Sequence, residues 1–230
     1  WEPAQLTWIQ KDPAEAVEVI SRNLAEAIIQ DQLNTAIAGL VAAISNNAAC
    51  VNDVSATAGV TYSAINGAHA KFGDASAQLV AQVMTGEVMH KLIGQNLNND
   101  QRLFVASNVT VFSILGRPVV VTDAPALYEV GASQAPNLQK VLSLTSGAAL
   151  VHDGSDLVTN VDSSNGRERI ETTFQADYTF ALGLRGYAWD TENGGKSPTD
   201  VAIGTGANWD KFVTSDKATA GVIAIGDASK

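Results

Sequence analysis

The chain has 230 residues, one cysteine, and 14 Lys and Arg against 24 Asp and Glu, for a formal charge of −10. With 46% hydrophobic and 17% charged residues it is too apolar for a disordered chain, and no uninterrupted apolar run of about eighteen residues marks a membrane span. These features imply a soluble globular protein with a real core, one large domain or two small ones, and its scattered basic residues, the closest being Arg167 and Arg169, argue against a nucleic-acid-binding face.

The chain opens at Trp1-Glu2-Pro3-Ala4 without a charged leader or an apolar signal core, so an upstream segment is expected to be missing. Asp12-Pro13-Ala14-Glu15 reads as a helix start, with Asp as N-cap, Pro in the first position and Glu closing a capping box. Val17, Ile20, Leu24, Ile28, Leu33, Ile37, Leu40, Val41 and Ile44 then keep three-or-four spacing up to Asn46-Asn47. At ~1.5 Å per residue, about 33 residues make a rod of roughly 50 Å, longer than a small domain is wide. The alternative is two helices broken near Gly39. Ala48 to Gly59 reads as a linker, Tyr62 to Lys71 as a short helix ending at Gly73. Asp74 is expected to cap a second amphipathic helix with an apolar face of Leu79, Val80, Val83, Met84, Val88 and Leu92 and a stop at Gly94.

Beyond Gln95 the pattern turns to strands: Leu103 to Val105, Val109 to Leu115, and Pro118 to Val121, the last two joined by Gly116-Arg117 in the manner of a type II′ hairpin. Lys140 to Leu144 and Ala148 to Val151 read as further strands around a loop at Gly131 to Pro136. Ile170 to Arg185 alternates apolar and polar residues over its whole length, which predicts one long half-buried strand of roughly 50 Å at ~3.3 Å per residue. A polar tail from Asn193 carries Trp209, Phe212 and a last strand at Val222 to Ile225. The two elongated elements suggest a plate-like molecule.

Chemistry is sparse. His69, His90 and His152 lie in no zinc-binding pattern, and His90 reads as a helix-end residue facing the C-terminal dipole. His152-Asp153 lacks a Gly-x-Ser-x-Gly partner, Gly204-Thr205-Gly206 lacks the third glycine of a dinucleotide loop, and Asp153-Gly154-Ser155-Asp156 with Asp162 lacks the bidentate Glu of a calcium loop. Asn108-Val109-Thr110 is a formal sequon within a strand. Cys50, alone, is expected buried and inert. No catalytic, cofactor-binding or metal residue is assigned.

The long helix, Met84-Thr85-Gly86-Glu87-Val88-Met89-His90-Lys91, the hairpin Leu115-Gly116-Arg117-Pro118-Val119-Val120-Val121-Thr122-Asp123-Ala124-Pro125, Gly147-Ala148, Gly186-Tyr187-Ala188-Trp189-Asp190 and Ala207-Asn208-Trp209-Asp210-Lys211, in that order, resemble tailed-bacteriophage major capsid proteins of the HK97-like fold. The resemblance implies an α+β chain with a long spine helix, a long peripheral-domain strand and a mixed axial domain. It divides the chain into 1–60 (peripheral, with the spine helix at about 12–46), 61–151 (axial), 152–190 (peripheral return strand) and 191–230, a C-terminal segment returning to the axial domain. The family's N-terminal arm and extended loop are absent from this sequence.

What the resemblance implies about function is self-assembly: pentamers and hexamers of one chain tile an icosahedral head around double-stranded DNA, with portal, scaffold or decoration proteins as partners and no membrane. An acidic wall would repel the packaged DNA. Trp8 is a candidate hinge or intersubunit anchor. An encapsulin-like compartment shell and an unrelated α+β enzyme are the competing classes.

Overall fold

A computed structural model describes residues 13–98, 112–132, 135–154, 156–165 and 170–230. Asp12, Trp8, the strand expected at Leu103 to Val105 and the sequon at Asn108 lie outside them. The chain divides into two compact units, one made of residues up to Leu33 with Val151–Leu182, the other of Asn34–Leu150 and Gly183–Lys230.

Helix α1 (Pro13–Asn46) is continuous through 34 residues, so Gly39 does not break it; one glycine costs a helix only about 1 kcal/mol. Within the larger unit Ala36, Ile37, Leu40, Val41, Ala42, Ala43 and Ile44 are all buried. That stretch is covered nearly all round, so small alanines between the larger side chains suit it. In the smaller unit the helix exposes Ile29 (65%) and Leu33 (39%). From Glu18 to Asn46 the helix is long and apolar enough to cross a membrane by length and composition, with half of its most apolar window buried in the protein; a core helix passes the same test.

The larger unit is built on a seven-stranded mixed sheet in the order β1 (Val51–Asp53), β13 (Gly221–Asp227), β6 (Leu138–Thr145), β2 (Leu79–Met84), β4 (Arg117–Val121), β3 (Phe112–Ile114), with β5 (Tyr128–Glu129) also on β6. β1 runs parallel to β13 and β2 parallel to β4, while β6 lies antiparallel to both β13 and β2. All seven residues of β13 are buried. Successive strand residues point to opposite faces, so the sheet is covered on both sides at its centre. One covering layer is α2 (Tyr62–Lys71) and α3 (Gly86–Asn98). His69 of α2 meets Ser143 and Lys91 of α3 reaches Gln139, two residues on one face of β6. The Tyr62 hydroxyl ties the two helices by donating to the Leu92 carbonyl at 3.0 Å.

Two expectations are corrected here. Leu79 to Met84 is a strand rather than the first half of an amphipathic helix. It is hydrogen-bonded on both sides, by β4 and β6, with a bulge between Leu79 and Ala81, and α3 begins only at Gly86 and continues past Gly94. A short apolar run fits either period, and the vacant place between β4 and β6 decides it. The hairpin turn is Leu115-Gly116 rather than Gly116-Arg117. Both residues have positive φ, 53° and 75°, the signature of a type I′ turn, and Arg117 is the first residue of β4.

In the smaller unit β8 (Val158–Asn165) and β9 (Ile170–Asp177) form an antiparallel hairpin in register from Val158 with Asp177 to Asn165 with Ile170. The long strand expected from Ile170 to Arg185, and with it the single return strand, is therefore two strands. β9 ends at Asp177 and β10 (Phe180–Leu184) starts a separate ribbon with β7 (Ala149–Asp153). The break lies at Tyr178-Thr179, where Asp156 accepts from the Thr179 backbone N–H at 3.0 Å and from its hydroxyl at 2.6 Å. A carboxylate in place of a strand neighbour ends the ladder. Ring stacking of Tyr178 on Phe180, centroids 6.1 Å apart, bridges the gap.

Candidate functional site

The most concentrated polar chemistry in the larger unit lies beneath α2. Arg117, at the start of β4, donates to the carbonyls of Leu79 (2.7 Å), Ser76 (2.7 Å) and Leu115 (3.4 Å), and lies 3.3 Å from His69 Nδ1. A guanidinium can only donate, so Nδ1 accepts and the imidazole is neutral, with its proton on Nε2. That proton points to Ser143 Oγ at 2.9 Å. Burial, seconded by the Arg117 charge, pushes the His69 pKa down to about 4.

A serine and a histidine at hydrogen-bond distance are the first requirement of a nucleophilic site, but the other requirements are unmet. The third group is a cation where a catalytic histidine needs an orienting acceptor, and the depressed pKa leaves a weak base. His69 is 4% and Ser143 1% exposed, so no substrate reaches the pair. The trio is a structural fastener: Arg117 satisfies carbonyls of the segment entering β2, and the histidine passes that constraint on to β6.

A second cluster sits where α1 leaves the core. The Asn47 amide donates to Asp216 (2.9 Å) and to Cys50 Sγ (3.3 Å), Lys211 pairs with Asp216 at 2.5 Å, and Cys50 faces the Thr219 hydroxyl at 3.7 Å. Burial pushes the Cys50 thiol up, and Tyr187 up to about 12. A thiol held protonated is a poor nucleophile, as expected of a buried cysteine. Trp189 and Trp209 meet edge to face at 4.8 Å beside a cavity of about 100 Å³ lined by Ala43, Asn46, Asn47, Tyr187, Trp209 and Lys211. It has room for a few water molecules and no more.

The remaining sequence candidates are dispersed. His90 is exposed within α3, well before its end, so it does not face the helix C-terminus as expected; His152 is exposed on β7. Asp156 is turned to Thr179, whose two hydrogen bonds hold its carboxyl below the usual range. Among the described residues no three His, Cys, Asp or Glu side chains gather as a metal site. Gly206 has a packing role: a Cβ there would lie 2.8 Å from the Ala42 carbonyl oxygen and 3.0 Å from Asn46 Cβ, so the loop rests directly on the end of α1. The Arg117–His69–Ser143 trio was invisible in the sequence, since its members are separated by 48 and 74 residues.

The other distinctive feature is apolar surface. In the larger unit Val80 (46%), Leu115 (38%), Val120 (48%), Val130 (74%), Val201 (81%) and Phe212 (68%) face outward. Single exposed apolar residues are ordinary, but adjoining ones mark contact surfaces.

A family model described as Gp13-like, major capsid protein 13-like, matches residues 1–223. Among solved structures, the holo-SrpI encapsulin complex from Synechococcus elongatus PCC 7942 is similar at a TM-score of 0.45 and 10% identity, over 80% of this chain and 55% of that one. The chain thus spans about half the length of that shell protein. No curated protein matches.

Proposed function

The chain belongs to the major capsid protein 13-like family, and on that premise we propose that it is the structural subunit of an icosahedral bacteriophage head with the HK97-like fold. Pentamers and hexamers of the chain would form the shell around double-stranded DNA, assembled in the host cytoplasm with portal, scaffold or decoration proteins. In this reading α1 is the spine helix, residues 61–151 make most of the axial domain, and residues 152–190 belong to the peripheral domain.

The family match over residues 1–223 carries the reading. The chemistry of the larger unit supports it: the one serine–histidine pair described there is sealed and wrongly flanked for catalysis, while apolar side chains lie outward where a neighbour could cover them. A charge of −10 per copy suits a container for DNA, since acidic walls repel phosphates and let the polymer slide. Electron microscopy of the purified chain tests the proposal. Closed polyhedral particles are expected, and a monodisperse monomer at all concentrations would overturn it. Particles filled with protein cargo in place of DNA would identify a compartment shell.

A further inference from the structure

Two apolar features of the larger unit differ in kind. The first surrounds the β3–β4 hairpin. Leu115 sits at φ 53°, a left-handed turn position that Asn, Asp or Gly occupies at less cost, and is 38% exposed. Behind it, register aligns Val120 with Val83, Val83 with Leu142 and Leu142 with Ile223 on one sheet face. Ile223 and Leu142 are fully buried and Val83 is 8% exposed, yet Val120 is 48% exposed. The apolar face runs out from beneath its cover at β4. Pro118, on the same face, and the bulged Val80 extend this surface.

The second feature is a knob. Phe212 follows β12 (Trp209–Lys211) and is 68% exposed. Its N–H donates to the Gly186 carbonyl at 3.3 Å, and the Trp189–Trp209 pair stiffens the ribbon of β11 (Tyr187–Trp189) and β12 behind it. Gly186 lies against Thr219 at the entry to β13. β13 is three places from β4 in the sheet, roughly 14 Å at ~4.8 Å per strand, so the knob and the hairpin stand apart within one chain.

Resting on the shell reading above, we infer that copies meet head to tail, the hairpin surface of Leu115, Pro118, Val120 and Val80 on one copy receiving Phe212 of the next. Different patches on the two partners make the contact heterologous, the kind that closes rings. Its size agrees. A few aliphatic side chains expose at most a few hundred Å², below the ~800 Å² per partner of a stable pair. Such a contact holds only where each copy is gripped on both sides, as in a pentamer or hexamer. An exposed aromatic anchor set in an aliphatic surface is the usual centre of binding energy in an interface.

Disulfide trapping tests this on full-length chains. Cys50 is fully buried, so introduced thiols react without background. Leu115→Cys and Phe212→Cys variants, expressed together and oxidised, are expected to give a mixed cross-linked dimer at least ten times more abundant than either variant gives alone, and the double variant a ladder of oligomers. Dimers from one variant alone, or no excess in the mixture, overturn the inference. Micrographs of the same samples separate the two readings: closed particles without the mixed cross-link defeat this contact alone, whereas the lack of any assembly defeats the shell reading as well.

Discussion

Acidification should weaken the larger unit through one residue. His69 has a pKa of about 4 in the fold against about 6.5 in an unfolded chain. Between these values the unfolded chain takes up a proton that the native protein refuses, so stability falls as pH falls. It is unaffected well above pH 6.5, declines by up to ~1.4 kcal/mol per pH unit, and levels off below pH 4. The difference of about 2.5 pH units corresponds to about 3 kcal/mol, a large share of the ~5–15 kcal/mol that holds a domain together. His69→Gln keeps a donor for Ser143 and an acceptor for Arg117 but cannot titrate in this range. Denaturant unfolding followed by tryptophan fluorescence at pH 8, 6, 5 and 4 should show the native protein losing about 3 kcal/mol more than the variant between pH 7 and 4. The exposed His90 and His152, and the carboxyls of Asp74, Asp156, Asp190, Asp216 and Asp227 that the fold holds low, are common to both proteins and cancel in the comparison. Parallel stability curves for the two would refute the assignment of a neutral, desolvated imidazole.

Gly206→Ala places a methyl 2.8 Å from the Ala42 carbonyl oxygen and should lower stability by about 1–3 kcal/mol, the range for overpacking, read from the denaturant midpoint. Leu115→Gly relieves a left-handed strain of about 1 kcal/mol while removing an outward contact, so the isolated chain should melt slightly higher even as assembly yield, measured by sedimentation, drops. Leu142→Ala empties a fully buried site at the centre of the sheet and should cost about 2–5 kcal/mol, with loss of cooperative unfolding in calorimetry. Arg117→Met removes the donors to Leu79, Ser76 and Leu115 carbonyls; hydrogen exchange at Ala81 and Gln82 should quicken at least tenfold, whereas exchange in β13 changes less.

Local chemistry was enough for elements that carry their own signals. A proline at the first turn and unbroken helical spacing located α1, Tyr62 to Lys71 carried its cap and its stop, and β-branched residues placed β4, β6 and β13 to within a few residues. The residue order also carried the family resemblance, because each short string reflects a turn or an element end that the backbone itself requires. Leu79 to Met84 shows where such reading fails: its apolar spacing satisfies a helix as well as a strand, and only the unfilled hydrogen bonds of β4 and β6 on either side select the strand. Ile170 to Arg185 fails for the opposite reason. Its alternation is continuous, but Asp156, more than twenty residues away, captures the Thr179 N–H and hydroxyl and interrupts the ladder. The Arg117–His69–Ser143 fastener and the Phe212 knob were likewise settled by the tertiary structure, since burial and exposure belong to the packed chain, and a side chain's role depends on neighbours that sequence distance does not reveal.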